Sequence, residues 1–186
     1  KILVACIPAA IVVLLFDDKI NELFYNPTVI AIALIVFGIA FIFIENWHKS
    51  RKSEPRVNDT LQITYRDALI IGLFQLIAAI FPGTSRSGAT IIGGLLIGLS
   101  RTTAAEFTFY LAIPVMFGAS LLKLLKFGLT FTGTELAILI VGMVVAFIVS
   151  ILVIKFLMNY IKKHDFKVFG WYRIALGILV IATLVF

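Results

Sequence analysis

The segment 82–90 places hydroxyl groups around one arginine in the middle of a strongly apolar chain. It reads PGTSRSGAT, and its four hydroxyl side chains, Thr84, Ser85, Ser87 and Thr90, flank Arg86. An arginine at the centre of a membrane-spanning helix costs about 2.5 to 3.5 kcal/mol, so it needs a partner or a task there. A guanidinium and hydroxyl groups together bind anions, and phosphate suits the planar guanidinium best. The segment therefore predicts an anion-binding site.

A turn followed by a helix would bring these groups to one point. Pro82 and Gly83 favour a turn, and Ser85 is the expected N-cap of a helix that begins near Ser87. The free backbone N–H groups and the positive dipole end of that helix would then face the anion together with Arg86. The alternative is that Arg86 neutralises a buried carboxylate while the hydroxyl groups only cap the helix.

Two other polar residues lie in the apolar part of the chain. Gln75 stands about two turns before the hydroxyl groups, where it would face the same cavity or hold neighbouring helices together. Glu106 is the only carboxylate between Asp67 and Glu135. Its spacing from Thr103 predicts a capping box more than a general base. The sequence therefore offers no acid–base pair for catalysis.

The composition points to an integral membrane protein. The chain is 61% hydrophobic and 14% charged, and its mean hydropathy of +1.10 leaves too few polar residues to cover a soluble domain. We expect a single all-α polytopic domain over residues 1–186. The single Cys6 excludes a disulfide framework, no metal-binding set is predicted, and the motifs of P-loop nucleoside triphosphatases, zinc hydrolases and α/β-hydrolases are missing from the sequence.

Apolar runs predict the membrane helices, and basic segments predict their orientation. The predicted helical runs are Ile2 to Phe16, Pro27 to Ile44, Ala104 to Leu125 with an interruption at Pro114, Glu135 to Met158, and Phe169 to Phe186. Residues 45–60 form the predicted basic cytoplasmic loop, and the lysines at 162, 163 and 167 mark a second one. The connection from Lys126 to Thr134 is then expected outside the cell.

Residues 68–99 are predicted to form a re-entrant segment. The hydroxyl cluster cuts this apolar stretch into two pieces of about a dozen residues, each too short for about 30 Å of hydrocarbon. Irregular backbone at that depth needs surrounding protein or a water-filled cavity, so we expect a helix, a loop and a helix that enter and leave on the cytoplasmic side. The loop tip is expected near the membrane midplane.

The segment PGTSRSGAT resembles the second signature motif of the bacterial undecaprenyl-diphosphate phosphatases, also called bacitracin-resistance phosphatases. The resemblance extends over essentially the whole chain through four further stretches, Thr64 to Ala68, Phe74-Gln75, Ser100-Arg101 and Ala105 to Phe107. The first motif of that family, a glutamate-rich segment followed by a PVSSTGH-like stretch, has no counterpart in the sequence. The chain thus resembles the C-terminal two thirds of the family, and we expect an N-terminal part to be missing before Lys1.

The resemblance implies a function, a site and a setting. The family hydrolyses undecaprenyl diphosphate to undecaprenyl phosphate and inorganic phosphate, which recycles the lipid carrier of cell-wall synthesis and confers bacitracin resistance. Arg86 and Ser85 are implied as catalytic, and substrate-binding roles fall to Ser87, Thr90, Thr84 and Gln75. The nucleophile and the acid–base residues belong to the first motif.

The resemblance also implies the surroundings of the enzyme. It predicts one and a half units of an inverted-repeat fold, a multi-pass location in the bacterial cytoplasmic (inner) membrane, and contacts with membrane lipids. A divalent cation, magnesium or calcium, is implied without identifiable ligands in this chain. No nucleic-acid partner is expected, and a homodimer is one assembly to test.

Two other functions fit the same residues. A transporter or flippase would bind an anion or a lipid headgroup at the broken helix and move it across the membrane. A membrane scaffold would use Arg86 only in a buried salt bridge. Both ligand-binding functions are lost when Arg86 is replaced, whereas a scaffold tolerates the change if its partner carboxylate is replaced as well.

Overall fold

The computed structural model describes residues 1–50, 54–128 and 132–185. Within these ranges the chain forms seven α-helices and one short 3₁₀ turn at Thr60–Gln62. The helices are α1 Ile2–Phe24, α2 Pro27–Ser50, α3 Tyr65–Ile80, α4 Arg86–Leu96, α5 Arg101–Phe127, α6 Gly133–Lys163 and α7 Lys167–Val185. In α2, α5, α6 and α7 the apolar part is long enough to cross a membrane. The prediction of an all-α polytopic membrane protein is confirmed.

Several helix boundaries differ from the predicted ones. Helix α2 continues to Ser50, so residues 45–50 of the predicted 45–60 loop are helical, while its residues 51–53 lie outside the described ranges. Helix α5 runs through Pro114 without a break. The predicted outer connection between α5 and α6 is described only up to 128 and from 132.

The predicted capping box at Thr103 was wrong. The N-cap of α5 is Ser100, whose hydroxyl oxygen accepts a hydrogen bond from the Thr103 backbone N–H at 3.2 Å. A bond from the Ser100 backbone N–H to the Val57 carbonyl, at 2.9 Å, fixes the chain there and sets where the helix begins. Glu106 therefore lies within the helix and has no capping role.

The apolar segment 68–99 is interrupted where the sequence predicts it. Helix α3 is about 24 Å long and α4 about 17 Å, and residues 81–85 join them. The two helices pack against each other. Each is too short to cross about 30 Å of hydrocarbon alone, so their pairing is what a re-entrant segment requires.

Three ion pairs lie at one end of the helix bundle and connect the segments that meet there. They join the end of α2 to the start of α5, the 54–57 segment to the start of α3, and α2 to the α6–α7 connection: Glu45–Arg101, Arg56–Asp67 and Lys49–Asp165. Helix α3 begins and α4 ends at this end, which we call the basic end. Both basic segments of the sequence therefore meet on one side of the protein.

Helices α2 and α7 form a closely packed antiparallel pair. A methyl group at Gly177 would lie 2.7 Å from the Ile35 side chain, and one at Gly38 would lie 2.8 Å from the Gly170 carbonyl oxygen. Glycine at these positions lets the two backbones approach closely, as in other membrane helix pairs. Helix α6, by contrast, exposes aliphatic side chains along most of its length, which suits a surface that faces lipid.

Candidate anion site

The loop between α3 and α4 makes a sharp turn that exposes the start of α4. Gly83 has a φ of +89° and Ser85 a φ of +66°, and both values lie in the left-handed region. The Ser85 hydroxyl accepts a hydrogen bond from the Gly88 backbone N–H at 3.3 Å, which confirms Ser85 as the N-cap. Helix α4 begins at Arg86, one residue earlier than expected. The positive end of the α4 dipole therefore lies at the end of the loop, next to Ser85 and Arg86.

Arg86 stands at this helix start with its charge unpaired. Its side chain is half-buried and makes no hydrogen bond or ion pair with any residue that the structure describes. Ser85 and Ser87 on either side of it are exposed. The alternative in which Arg86 neutralises a buried carboxylate finds no such carboxylate within the described ranges. Arg86, the two serine hydroxyls and the helix start form what we call the Arg86 site.

The two threonines of the segment point into the protein. Thr84 is fully buried, and its hydroxyl has no hydrogen-bond partner. The Thr90 hydroxyl contacts the carbonyl oxygens of Arg86 and Ser87, each at 3.1 Å, and the Thr108 hydroxyl at 2.9 Å. Thr90 thus fastens the first turn of α4 to α5. The substrate contacts predicted for both threonines stay predictions.

Gln75 and Arg86 line the same cavity, as the sequence suggested. This cavity of about 380 Å³ lies between α1, α3 and α5, and apart from these two side chains its wall is almost wholly apolar. Gln75 is 2% exposed, and neither its amide oxygen nor its amide nitrogen has a partner in the structure. A buried amide without partners costs free energy, so this side chain is well placed to contact a ligand.

A second arginine reaches the loop from α7, and the sequence analysis missed it. The Nη2 group of Arg173 donates a hydrogen bond to the Gly83 carbonyl at 2.5 Å. Arg173 also lines a cavity of about 290 Å³ together with Ser85 and Ser87. The sequence does contain a signal for it, namely an arginine within the apolar run 169–186. As for Arg86, the free-energy cost of a charge in a membrane helix indicates that it has a partner or a task.

Two carboxylates whose pKa values are lowered, Asp67 and Asp165, lie at the basic end. Burial would raise the pKa of Asp67, but hydrogen bonds from the backbone N–H and hydroxyl of Thr64 and from Arg56 hold it below its ordinary value. A hydrogen bond from Lys49 lowers the pKa of Asp165 against the opposing effect of burial. Neither cavity beside the loop is lined by an aspartate or a glutamate.

A metal ion has no fitting ligand set in the described part of the chain. No group of three or more histidine, cysteine, aspartate or glutamate side chains comes together there. The divalent cation implied by the resemblance therefore does not fit these residues.

Comparison with known proteins identifies the family of the chain. The family model of the bacitracin resistance protein BacA matches residues 1–179. The chain belongs to the BacA family. The resemblance found in the sequence is thereby confirmed.

Members of the BacA family from several bacteria are close in sequence. An undecaprenyl-diphosphatase of Desulfitobacterium hafniense is 69% identical over 181 residues, which are 97% of this chain and 64% of that protein. Undecaprenyl-diphosphatase 1 of Clostridium acetobutylicum is 67% identical over 97% of this chain and 65% of its own length. An undecaprenyl-diphosphatase of Enterococcus faecalis is 61% identical over 97% of this chain and 64% of its own. The chain thus spans less than two thirds of these relatives.

Proposed function

We propose that this BacA-family chain is the phosphate-holding part of an enzyme that hydrolyses undecaprenyl diphosphate. Water is consumed, the P–O–P anhydride bond breaks, and the products are undecaprenyl phosphate and inorganic phosphate. The observation that carries the proposal is an unpaired, half-buried Arg86 at a helix start, next to an apolar cavity. The positive charge suits an anionic headgroup, and the apolar cavity suits a long apolar tail. Undecaprenyl diphosphate has both.

Each residue of the Arg86 site has a role in the proposal. The Arg86 guanidinium holds two phosphate oxygens and stabilises the charge that spreads over the transferring phosphoryl group. Ser85, Ser87 and the free N–H groups of α4 donate hydrogen bonds to the same oxygens. The unpartnered amide of Gln75 contacts the diphosphate from the cavity side. The Thr90 hydroxyl holds the first turn of α4 against α5, and both threonines keep the substrate-binding roles that the resemblance implies.

The apolar cavity would receive the first part of the polyprenyl chain. Its wall comes from α1, α3 and α5, and most of its surface is carbon. The remainder of the lipid would lie between helices or in the surrounding bilayer. Burial of apolar surface then adds to the affinity that the diphosphate contributes.

The proposal also assigns an orientation. Gly83 packs against Ile30, the fourth residue of α2, so the loop tip lies toward the end of α2 that is remote from the basic end. The expected depth of the loop tip, near the membrane midplane, stays a prediction. By the positive-inside rule the basic end faces the cytoplasm, and the Arg86 site would then open toward the outer leaflet of a bacterial inner membrane.

Further components of the enzyme are proposed from the resemblance. The nucleophile and the acid–base residues are those of the first motif of the family. A magnesium or calcium ion would have to bind through groups that the described residues do not supply, so chelation by EDTA is the test of its need. The exposed face of α6 is available for lipid or for a homodimer, which crosslinking in membranes would detect.

Phosphate release from undecaprenyl diphosphate in detergent tests the function. The complete gene product, its Arg86→Ala variant and residues 1–186 alone are compared, with Lys163→Gln as a variant that removes one exposed positive charge away from the loop. We expect release by the complete protein and by Lys163→Gln, a loss of at least about 100-fold in Arg86→Ala, and no release by residues 1–186.

One outcome would replace the proposal with the transport alternative. If the folded complete protein releases no phosphate but binds the lipid in an Arg86-dependent way, the Arg86 site serves to move an anionic headgroup. The interruption between α3 and α4 is the feature that favours this second candidate, because broken helices carry substrate sites in transporters.

A further inference from the structure

Arg173 is a buried cation without a counter-ion. It lies in α7, one of the helices able to cross a membrane, and it is only 8% exposed. No carboxylate within the described ranges pairs with it. An unpaired guanidinium at this position is expensive, so it has to be stabilised by other contacts or by a ligand.

The contacts of Arg173 lead to the Arg86 site. Its Nη2 group donates to the Gly83 carbonyl, and its buried Nε has no hydrogen-bond partner among the residues that the structure describes. The guanidinium lines a cavity that Ser85 and Ser87 also line. The cavity of Arg86 contains neither serine in its wall. The two arginines therefore line different cavities, and the serines on either side of Arg86 line the cavity of Arg173.

The part of α7 that carries Arg173 is closely packed against α2. Gly170, about one turn before Arg173 on α7, is in contact with the α2 backbone, because a methyl group there would lie 2.8 Å from the Gly38 carbonyl oxygen. The same α2 backbone touches Gly83, because a methyl group there would lie 2.7 Å from the Ile30 carbonyl oxygen. The loop thus contacts both the backbone of α2 and the guanidinium on α7.

We propose that Arg173 is a positioning residue of the Arg86 site, and this inference rests on the proposed function. Its hydrogen bond fixes the Gly83 carbonyl and so sets the turn that presents Ser85 and the start of α4. Its unpaired positive charge lies at the cavity that Ser85 and Ser87 also line, where it attracts the diphosphate. A diphosphate carries more negative charge than a monophosphate, so two guanidinium groups near one loop favour the substrate over the product lipid.

Both parts of the role can be separated by substitution. Arg173→Lys keeps the charge and a donor, Arg173→Gln keeps a donor without the charge, and Arg173→Met removes both while retaining an extended side chain. The comparison variant is Gly177→Ala, on the same face of α7, where a methyl group would lie 2.7 Å from Ile35. It disturbs the α2–α7 packing without removing a group from the loop.

The experiment measures binding of inorganic diphosphate and of inorganic phosphate to the complete gene product in detergent by calorimetry, together with phosphate release from undecaprenyl diphosphate. We expect Arg173→Lys to bind diphosphate within about 3-fold of the unmodified protein, and Arg173→Gln and Arg173→Met to bind it about 10-fold and up to about 100-fold more weakly. Phosphate binding should fall less than diphosphate binding. Gly177→Ala should lower the melting temperature and leave the affinity of the folded protein unchanged.

The outcomes separate this inference from the proposed function. If the unmodified protein releases no phosphate, the proposed function fails, and the binding series still decides the role of Arg173. If the unmodified protein is active and Arg173→Met binds diphosphate equally well, the inference is wrong. It is also wrong if Gly177→Ala loses affinity to the same extent, because the effect is then one of packing alone.

Discussion

A methyl group at Gly83 should displace the loop that carries the Arg86 site. In Gly83→Ala the new carbon would lie 2.7 Å from the carbonyl oxygen and 3.0 Å from the Cα of Ile30, and both atoms belong to a helix backbone. Ordinary contacts begin at 3.4 Å, so the loop must move by about 0.7 Å, the difference between 3.4 and 2.7. The φ of +89° adds strain that alanine tolerates poorly.

The two contributions give a measurable cost. A left-handed φ costs a non-glycine residue about 1 to 2 kcal/mol, and overpacking adds about 1 to 3 kcal/mol. The sum, about 2 to 5 kcal/mol, corresponds to a melting temperature lower by about 4 to 20 °C for a chain of this size. A displacement approaching 1 Å at a catalytic group can lower the rate by about 100-fold, so phosphate release should fall by at least about 10-fold.

Differential scanning fluorimetry in detergent and the phosphate-release assay measure both effects. Gly142→Ala is the matched control, because this glycine lies inside α6 and a methyl group there meets no atom within 4 Å. It should keep its activity and melt at the same temperature or slightly higher. If Gly83→Ala melts within about 2 °C of the unmodified protein and releases phosphate at the same rate, the loop does not pack against α2 as described.

Three further predictions concern stability. Arg101→Leu leaves the fully buried Glu45 carboxylate unpaired, so it should lower the free energy of unfolding by about 3 to 5 kcal/mol, and adding Glu45→Leu should recover part of that loss in denaturant titrations. The pKa of Asp67 is lower in the folded protein, so its contribution to stability is complete above its unfolded pKa of about 3.9 and lost as the pH falls through the folded value. Melting curves of Asp67→Asn should therefore show a weaker decline below about pH 4 than those of the unmodified protein. Gly177→Ala should cost about 1 to 3 kcal/mol by chemical unfolding, because the α2–α7 pair has no room for the methyl group.

Local sequence signals predicted most of the helices and the break between α3 and α4. Long apolar runs imply membrane helices, and Pro82 with Gly83 ends one of them. The same reasoning failed at residues 45–50, where the charged residues predict a loop and the structure has the end of α2. Glu45 is buried in the last part of α2, where it pairs with Arg101. This partner lies 56 positions further along the chain. A pairing over that distance leaves no trace in the local pattern.

The candidate site was predictable only in part, because some of its contacts also join segments that are far apart in the sequence. The types and spacing of residues 84–90 identified the hydroxyl groups, the N-cap and Arg86. The cavity shared with Gln75 followed from helical spacing. The approach of Arg173 could not be predicted, since it depends on which face of α7 meets α2, and glycines such as Gly170 allow that contact only in the folded protein. The start of α5 was likewise decided by a distant backbone hydrogen bond rather than by the nearest capping pattern.

Protection of Cys6 would test the Arg86 site most directly. Cys6 is the only cysteine of the chain, and it lines the same cavity as Arg86. The rate of its modification by a maleimide is measured with increasing amounts of a methylene-bridged polyprenyl diphosphonate, which cannot be hydrolysed.

We predict that the diphosphonate slows modification of Cys6 in the unmodified chain and in Lys163→Gln at the same concentrations. Arg86→Gln should need at least about 10-fold more of the compound for equal protection, since it loses a charge-assisted bond to the diphosphate. Equal protection in Arg86→Gln, or modification at an unchanged rate in the unmodified chain, would contradict the assignment of a diphosphate lipid to this site.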